Sequence, residues 1–246
     1  MPRFFIDKKD INGDVATVRG EDSRHIARAL RMAVGDGVTL CDRSGIEYIA
    51  ELVRIRDEEC TLKILNSHPS SAESPAKITL FMSYPKSDKL EVIIQKAVEL
   101  GANTVIPFES ARCIKKPERE GAKAEARLLR LNRIAAEAAK QCGRGFLPTV
   151  EPTIKFNDVL ERASEFDLPI FCYEGEGTGS LKAILSDCPT EAKICVVVGC
   201  EGGFSSEEAA AAKKCGFKMA NLGPRILRCE TAPSYVLSAI SYQLEL

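Results

Sequence analysis

Two hydrophobic rhythms divide the chain. Over residues 1–72 apolar positions alternate with polar ones. Val38-Thr39-Leu40-Cys41, Ile46 to Ile55 and Cys60 to Leu65 are predicted strands, and Asp42-Arg43-Ser44-Gly45 is a hairpin turn between the first two. In the middle strand Tyr48, Ala50 and Leu52 alternate with Glu47, Ile49 and Glu51, a period of two. Glu21 to Met32 is predicted as a short helix with Ile26, Ala29 and Leu30 on one side. Strands at this spacing suggest a small β-barrel. The Ser/Pro/Ala-rich stretch from Asn66 to Pro75 reads as a linker.

Residues 76–246 alternate strand and helix. Predicted strands are Ile78–Ser83, Thr104–Phe108, Leu168–Tyr173, Ile194–Val198 and Met219–Leu222. Predicted helices are Asp88–Leu100, 122–142, 180–186 and 205–215, followed by a last helix that accepts Pro233 in its first turn. Cys113–Gly121 is predicted as a loop. Ile194-Cys195-Val196-Val197-Val198 is short, apolar and β-branched, as a strand buried on both faces would be. It runs into Gly199-Cys200-Glu201-Gly202-Gly203-Phe204. Ser205 and Glu208 then have the spacing of a capping box, which starts a helix that Gly216 stops. Met219–Leu222 leads into a second turn, Gly223-Pro224-Arg225-Ile226-Leu227-Arg228-Cys229-Glu230. In an open α/β sheet, ligands sit outside the carboxyl ends of strands. Both turns occupy such ends, and each is also consistent with an ordinary strand–helix connection.

The 246 residues allow one large domain or two smaller ones, and 45% hydrophobic residues suffice for a real core. With 34 basic against 35 acidic residues the net charge argues for no partner, so any nucleic-acid signal must be local. From Ala111 to Arg144 there are ten Lys/Arg against four Glu, a local net of +6, whereas residues 151–194 hold nine acidic and four basic residues. Helix 122–142 carries Arg127, Arg130 and Arg133 at helical spacing, and the first helix carries Arg24, Arg28 and Arg31. Such stripes suit a phosphate-facing surface and equally a solvated face. No apolar run approaches the ~20 residues of a membrane span, and the N-terminus has no apolar leader core. The protein is expected in the cytoplasm. The ten cysteines form no CxxC pair and there are two histidines, so small thiols in a reducing compartment are expected and a metal site is not. Glu174-Gly175-Glu176-Gly177-Thr178-Gly179 follows a strand and imitates a dinucleotide loop. Too little chain remains after it for a doubly wound domain.

The sequence resembles the bacterial small-subunit (16S) ribosomal RNA uridine-N3 methyltransferases of the SPOUT, or trefoil-knot, superfamily. The resemblance covers nearly the whole chain. It is carried by Met1-Pro2-Arg3-Phe4-Phe5, by His25 to Met32 with Gly35-Asp36, by Lys96 to Gly101, and by Glu137-Ala138 with Gln141 and Arg144. Gly199 to Phe204 and Leu222 to Ala232 are its most specific parts. Cys200, Cys229 and Leu131 stand where the family usually has proline, threonine and tryptophan.

The resemblance implies an α/β chain in two domains. A small PUA-like β-barrel over 1–72 would bind RNA, and a SPOUT methyltransferase domain with a deep trefoil knot would span 76–246. S-adenosylmethionine would be held by Glu174, Gly199, Glu201, Gly202, Gly203, Leu222, Gly223, Ile226, Leu227, Arg228, Thr231 and Ala232. Arg228, Arg144 and Glu201 are the candidate catalytic residues. Arg3, Arg24, Arg28, Arg31, Lys115, Arg133 and Arg144 are the candidate RNA contacts. The partners implied are small-subunit rRNA in an assembled 30S particle and a second copy of the chain, with no metal and no membrane. Two other functions fit the residues: another knotted RNA methyltransferase, acting on tRNA or a ribose hydroxyl, and a non-catalytic RNA-binding protein. A nucleotide-dependent oxidoreductase built on Gly175–Gly179 fails on topology.

Overall fold

The computed structural model describes all 246 residues, Met1–Leu246. The chain forms two compact units: residues 1–73 with 139–147, and residues 74–138 with 148–246. Segment 139–147, at the end of a long helix, thus belongs with the first unit, which a single cut at the linker would have missed.

The first unit is a six-stranded sheet. In chain order its strands are β1 (Arg3–Phe5), β2 (Ile11–Asn12), β3 (Val15–Arg19), β4 (Gly37–Cys41), β5 (Ile46–Arg54) and β6 (Glu59–Pro69). Their spatial order is β1-β4-β5-β6-β3-β2, antiparallel except for β1 beside β4. The period-two pattern has the expected result: Ala16, Val18, Val38, Leu40, Ala50, Leu52, Cys60 and Leu62 all enter one buried cluster. Register shifts between β5 and β6 at Ile49/Ala50 and Leu52/Arg54 bend the sheet around it. β6 runs on to Pro69, so the first part of the expected linker is strand. The helix at residue 21 is shorter than expected. α1 covers Glu21–Arg24 and continues as one wider π turn over His25–Ala29. The extra residue in that turn keeps Ile26 in the core and leaves Ala29 and Leu30 exposed.

Glu73 closes this unit. Its carboxylate accepts hydrogen bonds from the amides of Gly145 and Phe146, both at 2.9 Å, and pairs with the Arg144 guanidinium at 2.8 Å.

The second unit is a parallel sheet. Its elements in order are β7 (Lys77–Ser83), α2 (Lys89–Glu99), β8 (Thr104–Glu109), α3 (Ala122–Cys142), β9 (Thr149–Val150), β10 (Ile154–Lys155), α4 (Phe156–Glu161), β11 (Leu168–Cys172), β12 (Gly179–Ser180), α5 (Leu181–Leu185), β13 (Lys193–Val198), α6 (Ser206–Lys214), β14 (Lys218–Asn221) and α7 (Thr231–Glu245). The spatial order is β10-β8-β7-β13-β11-β14-β12, with β9 also on β8. The apolar run 194–198 forms β13, flanked by β7 and β11 and buried on both faces. Phe81, Phe108, Phe171, Cys195 and Val197 face a core completed by Phe204, Ala209 and Phe217. α7 packs against α2 and β13. No helix is long and apolar enough to cross a membrane.

Candidate functional site

The turn after β13 is set by close packing. Gly203 takes φ +62° and donates its amide to Cys200 O at 2.9 Å. A β-carbon on Gly199 would stand 3.1 Å from Gly203 Cα, and one on Gly202 would stand 2.9 Å from Arg112 Cβ. Neither place admits a side chain without moving backbone. Phe204 then anchors the turn, its ring centroid 4.3 Å from that of Phe171. Ser205 Oγ accepts from the Glu208 amide and Glu208 Oε2 accepts from the Ser205 amide, the expected capping box. Glu208 is buried, and its other oxygen takes the amide of Ala111 at 2.8 Å.

The turn after β14 lies opposite. Gly223 has φ +101°, and Arg228 O accepts the amides of Thr231 and Ala232, both at 2.9 Å, to start α7. The two turns enclose a cavity of about 550 Å³, within the usual size range for a small-molecule site. Val198, Leu222, Ile226, Leu227 and Ala232 give it apolar walls; Glu174, Glu201, Arg225, Arg228 and Glu230 give it charge.

Lys89, the first residue of α2, ties the two turns together. Its Nζ is 3.1 Å from Glu201 Oε1 and 3.1 Å from Glu230 Oε2. Those two bonds raise the lysine above its ordinary value. Burial pushes the Glu201 carboxyl up, but its own amide, the Lys89 ammonium and the Lys86 amide outweigh burial, and the net shift is downward. Glu230 is lowered by the Cys229 thiol, its own amide and Lys89. Burial, then Glu230, pushes the Cys229 thiol up to about 12.

Every residue expected at the cofactor lines this cavity except Thr231. Arg228 is exposed at its edge and enters no ion pair. Arg144 is not among the lining residues. It is 3% exposed in the first unit, where its guanidinium pairs with Glu73. Arg3 is likewise tied inside that unit, 2.8 Å from Glu47. Arg24 pairs with Glu58 and Arg28 with Asp57, both on the surface. Arg31 lies beyond the π turn at φ +50°, so the expected stripe of three does not share one helical face. Lys115 and Arg133 are exposed. Of the Glu174–Gly179 stretch, only Glu174 reaches the cavity, together with the preceding Tyr173.

Sequence reasoning missed Lys89, Tyr173 and Asn221. Lys89 had a signal. A cation in the first turn of a helix opposes the helix dipole, and two carboxylates must compensate for it.

Two family models match the chain: an RNA methyltransferase domain over residues 72–241 and an RNA methyltransferase PUA domain over residues 18–65. The ribosomal RNA small subunit methyltransferase E of Bacillus subtilis is 36% identical over all of this chain and 98% of its own length. The chain belongs to this methyltransferase family. Its Synechocystis relative is 31% identical over 99% of this chain and 78% of its own. The crystal structure of the Neisseria gonorrhoeae enzyme bound to S-adenosyl methionine superposes with a TM-score of 0.85, at 31% identity, covering 98% of this chain and 97% of that one. A Legionella pneumophila methyltransferase with the same cofactor bound also gives 0.85, at 27% identity, over 98% and 96%. The two family models make the first unit PUA-like and the second a methyltransferase domain.

Proposed function

We propose that the chain methylates N3 of one uridine in small-subunit ribosomal RNA, with S-adenosylmethionine as donor. The observation that carries this reading is the convergence of turns 199–204 and 222–230 on one cavity of mixed apolar and charged lining. The fit to the cofactor is supported by the turns themselves. Gly199, Gly202, Gly203 and Gly223 line the cavity with backbone alone, and the three glutamates suit a ligand bearing sulfonium and ammonium charges.

When bound, S-adenosylmethionine supplies an electrophilic methyl group. The turns would hold it through Gly199, Gly202, Gly203, Leu222 and Gly223, with Glu174 offering a carboxylate to its positive charge. Val198 and Leu227 exclude water. Uridine N3 carries a proton at neutral pH, so negative charge develops on the ring as that proton leaves. Arg228 stabilises this charge. Glu201 is a positioning residue rather than a base. Its carboxylate already accepts from Lys86 and Lys89, which makes it a weak proton acceptor, and the proton passes to water.

The C-terminal segment completes the trefoil knot in this reading, consistent with β13 inserted between β7 and β11. The working form is a homodimer in the cytoplasm, acting on the assembled 30S particle. Exposed Ile226, Tyr235, Tyr242 and Leu246 supply apolar surface for a second copy.

Calorimetry should give one S-adenosylmethionine bound per chain and no NAD. Incubation with 30S particles lacking the modification should then yield 3-methyluridine in nucleoside digests. Methylation at another atom, or RNA binding without cofactor binding, would overturn the reading.

A further inference from the structure

All ten cysteines are free thiols, and two of them meet beside the cavity. Cys113 follows β8, and Cys200 belongs to the turn after β13. Both sulfurs lie against the same hydroxyl, that of Ser110. Ser110 Oγ lies 3.4 Å from Cys113 Sγ and 3.9 Å from Cys200 Sγ, and Ser83 Oγ lies 3.3 Å from Cys113 Sγ. Cys113 is partly exposed and Cys200 is buried. The Cys200 thiol, then burial opposing it, then Ser110 and Ser83 set the Cys113 thiol, whose net shift is down to about 5; Cys200 is pushed up in return. Cys113 is therefore the more readily ionised of two thiols gathered at one hydroxyl. Cys172, Cys195 and Cys229 are placed differently. Cys172 and Cys195 are driven upward by burial, and Cys229 is bonded to Glu230 and Lys89.

We propose that Cys113 and Cys200 are a modification site for hydroperoxides, and that the disulfide they form shuts the cavity between the two turns. The Cys113 thiolate attacks one oxygen of hydrogen peroxide and the O–O bond breaks, giving the sulfenic acid and hydroxide. Cys200 sulfur then attacks the sulfenic sulfur, the S–O bond breaks, and its thiol proton leaves with the oxygen as water. Two thiols and one peroxide give one disulfide and two waters.

The bond draws the sulfurs in from either side of the Ser110 hydroxyl to ~2.05 Å. It also removes the Cys200 thiol from Arg112 O, which it meets at 3.4 Å, and the Cys113 thiol from Tyr84 O, also at 3.4 Å. Turn 199–204 has no slack to absorb this, since Gly199 and Gly202 already sit against Gly203 and Arg112. Its cavity-lining residues must move instead. The effect on ligand binding rests on the function proposed above; formation of the bridge does not.

The test treats the reduced full-length chain with equimolar hydrogen peroxide. Thiols counted in denaturant should fall from ten by two. Tryptic digestion should join Cys113-Ile114-Lys115 to peptide 194–213, with fragmentation placing the bridge on Cys200 rather than Cys195. The dissociation constant of S-adenosylmethionine should rise roughly tenfold, as is common when a switch couples to a site, and return with dithiothreitol. Cys113→Ser should bind the cofactor normally and ignore peroxide. A bridge elsewhere, or Cys113 carried to sulfinic acid with Cys200 free, overturns the modification site. A mapped bridge with unchanged affinity overturns the closing of the cavity. If the reduced chain binds no S-adenosylmethionine, the proposed cofactor fails while the peptide map still decides the bridge.

Discussion

Gly175–Gly179 and Gly199–Gly203 look interchangeable on paper. Each is a glycine-rich turn between a parallel strand and a helix, and the first has the better dinucleotide spacing. In the folded chain they do different work. At Gly199 a β-carbon would meet the Gly203 backbone across the turn at 3.1 Å, and at Gly202 the Arg112 stem of another segment at 2.9 Å. At Gly177 and Gly179 the nearest atoms stand 3.7 and 3.9 Å away, and Gly175 would meet only the ring of its own neighbour Tyr173. The second turn leaves β13, whose flanks are β7 and β11; the first leads away to the edge strand β12. Glycine count reports how a turn can bend. What it bends toward is set by the strand's place in the sheet.

The largest effect expected is chemical. Arg228→Ala should lower kcat by about 100-fold or more, the usual loss when one group facing developing charge is removed, with cofactor affinity within a few-fold of normal by calorimetry. Full turnover in that variant would remove the central assignment. A matched pair sharpens the comparison of turns directly. Gly199→Ala should weaken S-adenosylmethionine roughly 10- to 100-fold if the ~1–3 kcal/mol of overpacking falls on the bound state, while Gly179→Ala should bind as the parent does. Equal behaviour of the two variants would erase the distinction drawn here.

Lys89→Met comes next. It should weaken the cofactor roughly tenfold by releasing two carboxylates into the cavity, the scale of a lost charge-assisted pair, and Lys89→Arg should recover part of this. Its pH signature follows from the signs. Glu201 and Glu230 are lowered in the folded chain, so their contribution to stability is fully present above the unfolded glutamate value of about 4.3. It is lost as pH falls through their folded values. Urea midpoints of wild type and Lys89→Met should therefore differ at neutral pH and converge under acid. The smallest effect belongs to the exposed loop. Lys115→Ala should reduce the salt dependence of RNA binding by about one phosphate contact, leaving cofactor binding alone.

Much of the second unit was legible because its signals are local. The β-branched run 194–198, the Ser205/Glu208 box and the Gly216 stop each specify structure within a few residues. The period of two in 38–64 likewise announced the first unit's core. What stayed hidden was long-range. Lys89 matters only because Glu201 and Glu230, more than a hundred residues later, arrive beside it. Arg144 looked like a free cation on a basic helix, and nothing in its neighbourhood names Glu73 as the partner that buries it. The π turn at His25–Ala29 adds one residue to a helical repeat, which no periodicity of 3.6 anticipates, and it moves Arg31 off the expected stripe.

The first unit's debt to residues 139–147 bears on how the protein is made. Synthesis delivers residues 1–73 early, yet Glu73 must wait for Arg144, Gly145 and Phe146 to leave the ribosome. At roughly 5–20 residues per second, several seconds pass in which that carboxylate and the sheet beside it have no cover. An N-terminal fragment ending at the linker would remain in that unfinished condition permanently. The PUA-like unit is begun before the methyltransferase unit and cannot finish until part of that unit has been made.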